Sequence, residues 1–311
     1  MGINPNALRF LARDSKRGND FAQTAMIGRQ GVHVSAKQCS TILNDEFGLG
    51  LPSDRILAAH AAGYAEELLK LLGAQRVESF DYSDYEGATH VHDFNTPIPD
   101  RHKNQYTFLI DGGTLEHVFN FPTALKNCME MLKVGGTYFG ATPANNEMGH
   151  GFYQFSPELY FRVFSKQNGF RTDAVFLYEG RESTTWLKVA DPEIIGRRAE
   201  KVNCRSTYML VRATKLEHNE IFAQPPLQPD YVAAWHSSET GGHSNEAKNG
   251  SHVAGKPLWR RAGSVLPYRI KRLITMSRVN MKHGFDRIKI HCGMNPDPEM
   301  YKLFDPRADG I

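Results

Sequence analysis

The sequence lacks the features that mark several protein classes. Its 311 residues include only 4 cysteines without any CxxC pair, which argues against both a disulfide framework and a cysteine zinc site. No apolar run reaches the roughly eighteen residues of a membrane span. The formal net charge is only +3, so the chain as a whole carries no nucleic-acid signature. We therefore predict a soluble, cytoplasmic protein that neither spans a membrane nor binds nucleic acid.

Two catalytic signatures are absent as well. Gly28 and Gly31 follow the first predicted strand without the G-x-G-x-x-G spacing of a dinucleotide site, which disfavours a nicotinamide-dependent dehydrogenase. The 13 histidines form no HExxH motif and no paired-ligand spacing, which disfavours a metal hydrolase. From its spacing alone, the sequence assigns no metal ion to the protein.

What the sequence does contain is an alternation of apolar strands and helices between about residues 20 and 213. The predicted strands are 22–27, 77–82, 90–94, 106–110, 137–142, 172–178 and 206–212. This alternation is typical of a doubly wound, mostly parallel sheet whose faces are both covered by helices. We predict an α/β fold with a seven-stranded sheet.

Composition divides the chain into four segments. Residues 1–19 predict a helical segment, and residues 20–214 hold the α/β domain. Residues 215–257 are rich in Pro, Gly, Ser, Asn and His without periodicity, which indicates a flexible linker. Residues 258–311 form a basic extension with interleaved apolar positions. This pattern is typical of a basic amphipathic helix. Such a helix either packs on the domain, or contacts an anionic membrane surface, a partner or a phosphorylated ligand.

Two segments carry a family resemblance. The strand predicted at 106–110 leads into D-G-G-T-L-E-H-V over 111–118, and residues 131–143 read M-L-K-V-G-G-T-Y-F-G-A-T-P. Together they resemble the fourth and fifth strands of class I S-adenosylmethionine-dependent methyltransferases, where "D…LEHV" and "LK-x-GG" recur. The resemblance implies a Rossmann-like sheet with an appended antiparallel hairpin, and S-adenosyl-L-methionine as the cofactor. Ligands of such sheets bind at the carboxyl ends of the strands.

The resemblance also implies residues that bind the nucleoside. Gly28 and Gly31 stand in the place of the glycine-rich loop, although the usual acid and third glycine are missing. Asp81, near the end of the second strand, would accept hydrogen bonds from the ribose hydroxyls, because a carboxylate is purely an acceptor. A helix-capping or loop aspartate is the alternative reading of Asp81.

Four further positions complete the implied cofactor site. Asp93 would reach the adenine amino group and Phe94 would stack on the base, while the alternative for Asp93 is a turn residue. Asp111 and Gly112 would lie near the methyl group, and Gly112 permits close approach of the backbone to a ligand.

Two histidines are candidates for a general base. His150 lies between two glycines in the loop after the fifth strand, where substrates of similar methyltransferases bind, and it is our preferred base. His117 is the second candidate, and with Glu116 it could instead form a weak metal site. Glu116 has a structural alternative, since a carboxylate is favoured at the start of a helix.

These patterns lead to one leading hypothesis and one alternative. The leading hypothesis is a methyltransferase that uses S-adenosyl-L-methionine to O-methylate a small molecule, such as a sugar or a phosphorylated compound, by in-line transfer with a histidine base. The alternative is a non-catalytic nucleotide-binding or scaffold protein of the same fold, which the incomplete glycine-rich loop suggests.

Overall fold

The computed structural model describes residues 2–180, 183–201, 203–229, 231 and 299–308. Most of these belong to one compact unit made of Met1–Ala199, Arg205–Gln228 and Glu299–Ile311. A second unit, Glu200–Cys204 with Pro229–Pro298, falls largely outside the described residues. Most of the predicted linker 215–257 and of the predicted basic extension 258–311 likewise lies outside them.

Eleven strands are present in the described part of the chain. They are β1 (Gly2–Ile3), β2 (Gln23–Ile27), β3 (Gly31–Val32), β4 (Arg76–Asp81), β5 (His90–Val91), β6 (Tyr106–Asp111), β7 (Leu132–Asn145), β8 (Phe170–Glu179), β9 (Trp186–Val189), β10 (Thr207–Lys215) and β11 (Tyr301–Phe304). β1 and β3 form a small parallel sheet of their own. The other nine form one sheet in the order β11-β9-β8-β10-β7-β6-β2-β4-β5.

This sheet is mixed, which corrects the prediction of seven mostly parallel strands. The pairings from β5 through β4, β2 and β6 to β7 are parallel. The pairings of β10 with β7 and β8, and of β9 with β8 and β11, are antiparallel. The sequence pattern missed β9 and β11 because each has only four residues, and β11 joins the sheet edge from far along the chain.

The order of the central strands nevertheless follows the predicted plan. Counted along the chain, the parallel strands β5, β4, β2, β6 and β7 have the Rossmann order 3-2-1-4-5. β8 and β10 are the antiparallel pair that the resemblance implied, and β10 inserts between β7 and β8. The mixed α/β architecture with a large central sheet is therefore confirmed.

Seven α-helices surround the sheet in the described part. They are α1 (Pro5–Lys16), α2 (Ala36–Ser40), α3 (Ser53–Ala61), α4 (Glu66–Leu71), α5 (Phe121–Met131), α6 (Pro157–Val163) and α7 (Pro192–Ile195), and α2 continues as a π-helical turn over Thr41–Glu46. Ser35 begins α2 with a capping box to Gln38. Asn4 caps α1 by accepting from the backbone N–H groups of Asn6 and Ala7. None of the helices described has the length and apolar character needed to cross a membrane.

Alternation along the strands divides the core into two layers. Phe108 and Ile110 of β6 pack on the side of α1 to α4, whereas Leu109 packs on the side of α5 and α6. Such alternation is the period-two pattern of a strand with both faces buried. With its faces covered, the sheet leaves the carboxyl ends of β2, β4, β6 and β7 to meet at one edge, where ligands of such sheets bind.

Candidate functional site

A tight glycine turn ends β2 at this edge. Gly28 has a φ of +72°, and its N–H donates to the Phe80 carbonyl at 2.7 Å. A Cβ at Gly28 would lie 2.6 Å from Oγ1 of Thr114, so this position requires glycine. Gly31, in contrast, belongs to β3 and pairs with Gly2. Of the two predicted glycines, only Gly28 forms the turn that follows β2.

Asp81 joins this turn to the end of β4. Its Oδ2 accepts from the Arg29 N–H at 3.2 Å, and its Oδ1 accepts from the Tyr82 N–H at 2.7 Å. A carboxylate offers about four acceptor positions. The half-buried Asp81 therefore retains capacity for ligand hydroxyls, and its contact with ribose stays a prediction.

Asp93 and Phe94 have structural partners in the protein. Oδ1 of Asp93 accepts from the backbone and side-chain N–H groups of Asn95 at 2.9 and 2.8 Å, and these bonds lower the pKa of the carboxyl. Phe94 is buried, and its ring stands edge-on to Phe80 with 6.3 Å between centroids. The contacts of Asp93 are those of the turn residue named as its alternative. Adenine binding by either residue stays a prediction.

Asp111 is fully buried and holds the loop after β6. Its Oδ1 accepts from the Thr114 N–H at 2.8 Å, and its Oδ2 accepts from the Tyr138 hydroxyl at 3.3 Å. Burial raises the pKa of this carboxyl, while the hydrogen bonds oppose the rise. Asp111 thus positions its neighbours. The residue beside it, Gly112, is buried, and the Gln30 side chain occupies the space that a side chain at position 112 would take.

Gln30 is a residue that the sequence interpretation missed. It is buried, and its Nε2 donates to the Ile27 carbonyl at 2.5 Å. Its Oε1 has no hydrogen-bond partner among the described residues, and a Cβ at Gly112 would lie 2.1 Å from it. The sequence did offer one signal for Gln30 as a site residue, because a glutamine stands inside the turn where a third glycine would be usual.

The three predicted catalytic residues come together at the ends of β6 and β7. Oε1 of the fully buried Glu116 lies 3.5 Å from Nε2 of His150. The rings of His117 and His150 are 4.9 Å apart, centroid to centroid. One ligand-type atom from each of the three side chains lies within 4.8 Å of the others, so this set could hold a metal ion.

The backbone of Glu116 fixes the loop that carries His150. Its carbonyl accepts from the N–H groups of Phe152 and Tyr153 at 2.7 and 3.2 Å. Gly151, with φ +72°, lies so close that a Cβ would be 2.7 Å from the same carbonyl oxygen. The contact between these two loops therefore sets the separation of Glu116 and His150.

Burial dominates the electrostatics of this cluster. Desolvation, together with the Asp111 carboxylate, raises the pKa of Glu116. Desolvation, together with His150, lowers the pKa of His117. Glu116 accepts fewer hydrogen bonds than Asp111 does. A nearby positive charge therefore stabilises the ionised form of Glu116 more than that of Asp111. An imidazole beside it can accept a proton, and a cation between them would neutralise the carboxylate.

An apolar surface adjoins the cluster on its open side. Phe119 and Phe152 are 71% and 67% exposed, and their rings meet edge-on at 5.9 Å. The Tyr153 hydroxyl donates to the Phe119 carbonyl at 2.7 Å, which ties the two segments together. Phe155, further along the same segment as Phe152, is buried. The exposed rings can contact an apolar part of a ligand.

No protein-family model matches the chain, and no curated protein matches its sequence. Among solved structures, the chain is similar to the N-methyltransferase NodS from Bradyrhizobium japonicum at 11% identity and a TM-score of 0.35, over 68% of this chain and 96% of that one. It is similar to the trans-methyltransferase CalH in complex with SAH at 14% identity and a TM-score of 0.37, over 68% and 57% of the two chains. It is also similar to a branched-chain polyamine synthase from Thermus thermophilus at 12% identity and a TM-score of 0.35, over 73% and 60%.

The fold itself is read from the sheet. The Rossmann order of β5, β4, β2, β6 and β7 continues into the antiparallel pair of β10 and β8. Of the two segments that carry the resemblance, 111–118 forms the end of β6 and the loop after it, and 131–143 forms the last residue of α5 and most of β7. The chain has the fold of the class I S-adenosylmethionine-dependent methyltransferases.

Proposed function

We propose that this protein is a methyltransferase that uses S-adenosyl-L-methionine to methylate a hydroxyl group of a small molecule. The observation that carries the proposal is that one loop, 111–117, borders both halves of the site. Thr114 in this loop donates to the Ile27 carbonyl beside the Gly28 turn at 2.7 Å, and Glu116 faces His150. The cofactor cradle, by which we mean the residues around the Gly28 turn, therefore lies next to a proton acceptor, His150. Methyl transfer between two bound molecules requires this proximity.

The residues around the Gly28 turn suit the cofactor. Gly28 gives the backbone a tight turn after β2, and Asp81 has acceptor capacity for two hydroxyls. Oε1 of Gln30 is a buried acceptor that no donor among the described residues reaches, which suits a ligand ammonium group. When bound, the cofactor supplies an electrophilic methyl group on a sulfonium. Asp93 and Phe94 would contact its base.

The residues around Glu116 suit a hydroxyl acceptor. His150 takes the hydroxyl proton on its imidazole, and a proton on Nε2 lies 3.5 Å from the Glu116 carboxylate, which stabilises the resulting cation. His117 is the second candidate for this role. General base catalysis of this kind is typically worth about 10²–10⁴-fold in rate. The exposed rings of Phe119 and Phe152 contact the remainder of a sugar-like or phosphorylated acceptor.

Calorimetric titration with S-adenosyl-L-methionine tests the proposal first. We expect saturable binding with one site, followed by transfer of labelled methyl groups to a member of a panel of sugars, sugar phosphates and other hydroxyl compounds. The absence of binding up to millimolar cofactor would overturn the proposal. Binding without transfer to any hydroxyl compound would remove the acceptor assignment alone.

A second candidate function is the non-catalytic scaffold of the same fold. One observation favours it: the Gln30 side chain fills the space against Gly112, inside the region that the cofactor would approach. In that case the Gln30 side chain occupies the cofactor site, and the wild-type protein binds no S-adenosyl-L-methionine. The same titration therefore separates the two functions.

A further inference from the structure

We propose that Glu116, His117 and His150 bind one divalent transition-metal ion that also holds the acceptor hydroxyl. The metal site follows from the geometry of the three side chains alone. The part of the ion in activating the hydroxyl rests on the proposed methyl transfer.

The distances within the cluster suit a single ion. Metal–nitrogen and metal–oxygen bonds of about 2.0–2.2 Å place two ligands of a tetrahedral ion about 3.4 Å apart. Nε2 of His150 and Oε1 of Glu116 are separated by 3.5 Å. The ligand-type atom of His117 completes a set whose members all lie within 4.8 Å of one another. His117 is exposed, and its ring would have to turn toward the other two ligands to reach the same ion.

The two facing atoms lack other partners. Oε1 of Glu116 and Nε2 of His150 are both buried, and neither makes a hydrogen bond within the described part of the chain. Their separation exceeds the roughly 2.7–3.2 Å of a hydrogen bond. An unpaired carboxylate oxygen in a buried position is costly, whereas coordination of a cation satisfies it. A metal ion between the two atoms accounts for both observations.

The second carboxylate oxygen and the backbone carbonyl of Glu116 both contact neighbouring groups, as is usual for metal ligands. Its second carboxylate oxygen, Oε2, lies 3.4 Å from the Thr142 hydroxyl, and its backbone carbonyl is fixed by Phe152 and Tyr153. Hydrogen bonds to the far side of a ligand fix its orientation and support metal affinity. The loop contact at Gly151 then presents His150 from the opposite side.

The donor set indicates which metal fits. Two imidazoles and one carboxylate suit ions such as Zn²⁺, Co²⁺ or Fe²⁺, whereas Mg²⁺ and Ca²⁺ prefer oxygen ligands and water. Three protein ligands leave a coordination position open, which distinguishes catalytic from structural sites. The open side is the exposed one, where His117 and the Phe119–Phe152 surface lie.

An ion at this position changes how the acceptor loses its proton. A hydroxyl oxygen that coordinates the ion becomes more acidic, and its proton leaves to solvent. The oxygen then forms the bond to the methyl carbon, and the bond from that carbon to sulfur breaks with its electron pair on sulfur. His150 acts here as a ligand, so no histidine base is needed in the metal-loaded protein.

The experiment is a calorimetric titration of chelator-treated full-length protein with Zn²⁺, with Mg²⁺ in parallel. We expect one equivalent of Zn²⁺ to bind, and Mg²⁺ to bind far more weakly. Co²⁺ should give the visible absorption of a nitrogen- and oxygen-ligated ion. Glu116→Gln and His150→Ala should weaken Zn²⁺ binding by at least the roughly 10–100-fold that loss of a mere supporting contact costs.

His218→Ala is the matched control, because it removes an exposed histidine and should leave Zn²⁺ affinity unchanged. Glu116→Gln keeps the side-chain volume and replaces a buried acid by a neutral amide, so its melting temperature should not fall. If wild-type protein binds no stoichiometric Zn²⁺, or if Glu116→Gln binds it as tightly as wild type, the metal site is refuted.

Cofactor binding separates this proposal from the proposed function. Zn²⁺ binding without S-adenosyl-L-methionine binding would leave the metal site standing and overturn the methyltransferase. Methyl transfer at full rate in chelator-treated protein would support the methyltransferase with His150 as its base and overturn the role of the ion. Transfer that is lost on chelation and restored by Zn²⁺ would support both.

Discussion

Gly151 lies directly against the backbone carbonyl of Glu116. A Cβ at residue 151 would be 2.7 Å from that oxygen, and the φ angle of +72° is itself one that glycine favours. Because the N–H groups of Phe152 and Tyr153 donate to the same oxygen, this contact holds His150 opposite the Glu116 carboxylate.

We expect Gly151→Ala to lower the free energy of unfolding by about 1–3 kcal/mol, because alanine must adopt a left-handed backbone or the loop must move. Displacement of His150 by about 1 Å should lower methyl transfer by up to about 10²-fold. Urea unfolding and initial rates measure the two effects. Gly149→Ala is the control, since a Cβ there meets no atom within 4 Å. Equal behaviour of the two variants would contradict the loop contact.

Asp81→Asn tests the cofactor cradle. We expect it to weaken S-adenosyl-L-methionine binding by about 1–3 kcal/mol, because a charged acceptor facing the ribose hydroxyls is lost. Calorimetric titration measures the change. Asp84→Asn, in the exposed turn that follows, should bind the cofactor as wild type does. Unchanged affinity in folded Asp81→Asn would remove this residue from the cradle.

Substitutions of Gln30 distinguish the proposed methyltransferase from the non-catalytic scaffold. If Oε1 of Gln30 accepts from the cofactor ammonium, Gln30→Met should weaken binding by about 1.5–3 kcal/mol, because a hydrogen bond to a charged group is lost. The Ile27 carbonyl keeps the Thr114 hydroxyl as a donor, so folding should be retained. Gln167→Met, at an exposed glutamine, is the control. If Gln30→Ala instead binds S-adenosyl-L-methionine more tightly than wild type does, the Gln30 side chain blocks the cofactor site.

Arg212 is predicted to matter for stability. Its guanidinium donates to Asp14 at 3.0 Å, to Asn19 at 2.7 Å and to Asp173, and Asp14 is only 1% exposed. Arg212→Met removes the guanidinium that contacts the buried Asp14 and one of the two that contact Asp173, and we expect a loss of about 3–5 kcal/mol in the free energy of unfolding. Arg171→Met is the control, because its ion pair with Asp173 involves a side chain that is 62% exposed and should be worth at most about 1 kcal/mol.

The loss in Arg212→Met should also depend on pH. Burial raises the pKa of Asp14 although Arg212 opposes the rise, so removal of Arg212 raises it further. A carboxyl with a raised pKa in the folded state binds protons there more readily than in the unfolded chain. The destabilisation should therefore be largest near neutral pH and shrink as the pH falls through the folded-state pKa. Urea unfolding at neutral and acidic pH measures this, and a pH-independent loss would show that Asp14 is not the cause.

Local pattern determined most of the fold and the identity of the candidate site residues. The alternation of strands and helices predicted a doubly wound α/β sheet, and the family resemblance implied its Rossmann-like order. Glu116, His117 and His150 were chosen because they follow strands whose carboxyl ends meet at one edge and because the family resemblance implies a substrate there. These features depend on neighbours in the sequence, so local pattern and the resemblance of short segments reveal them.

Tertiary structure decided what depends on distant parts of the chain. β11 joins β9 although more than a hundred residues separate them, so no local pattern could reveal the edge of the nine-stranded sheet. The 3.5 Å approach of His150 to Glu116 arises because Gly151 docks on a carbonyl in another loop, which no ligand spacing in the sequence encodes. Gln30 likewise became a candidate only once its Oε1 was found buried against Gly112. The sequence determined which chemical groups are present, and folding decided which of them face one another, because those contacts depend on how separate loops pack in three dimensions.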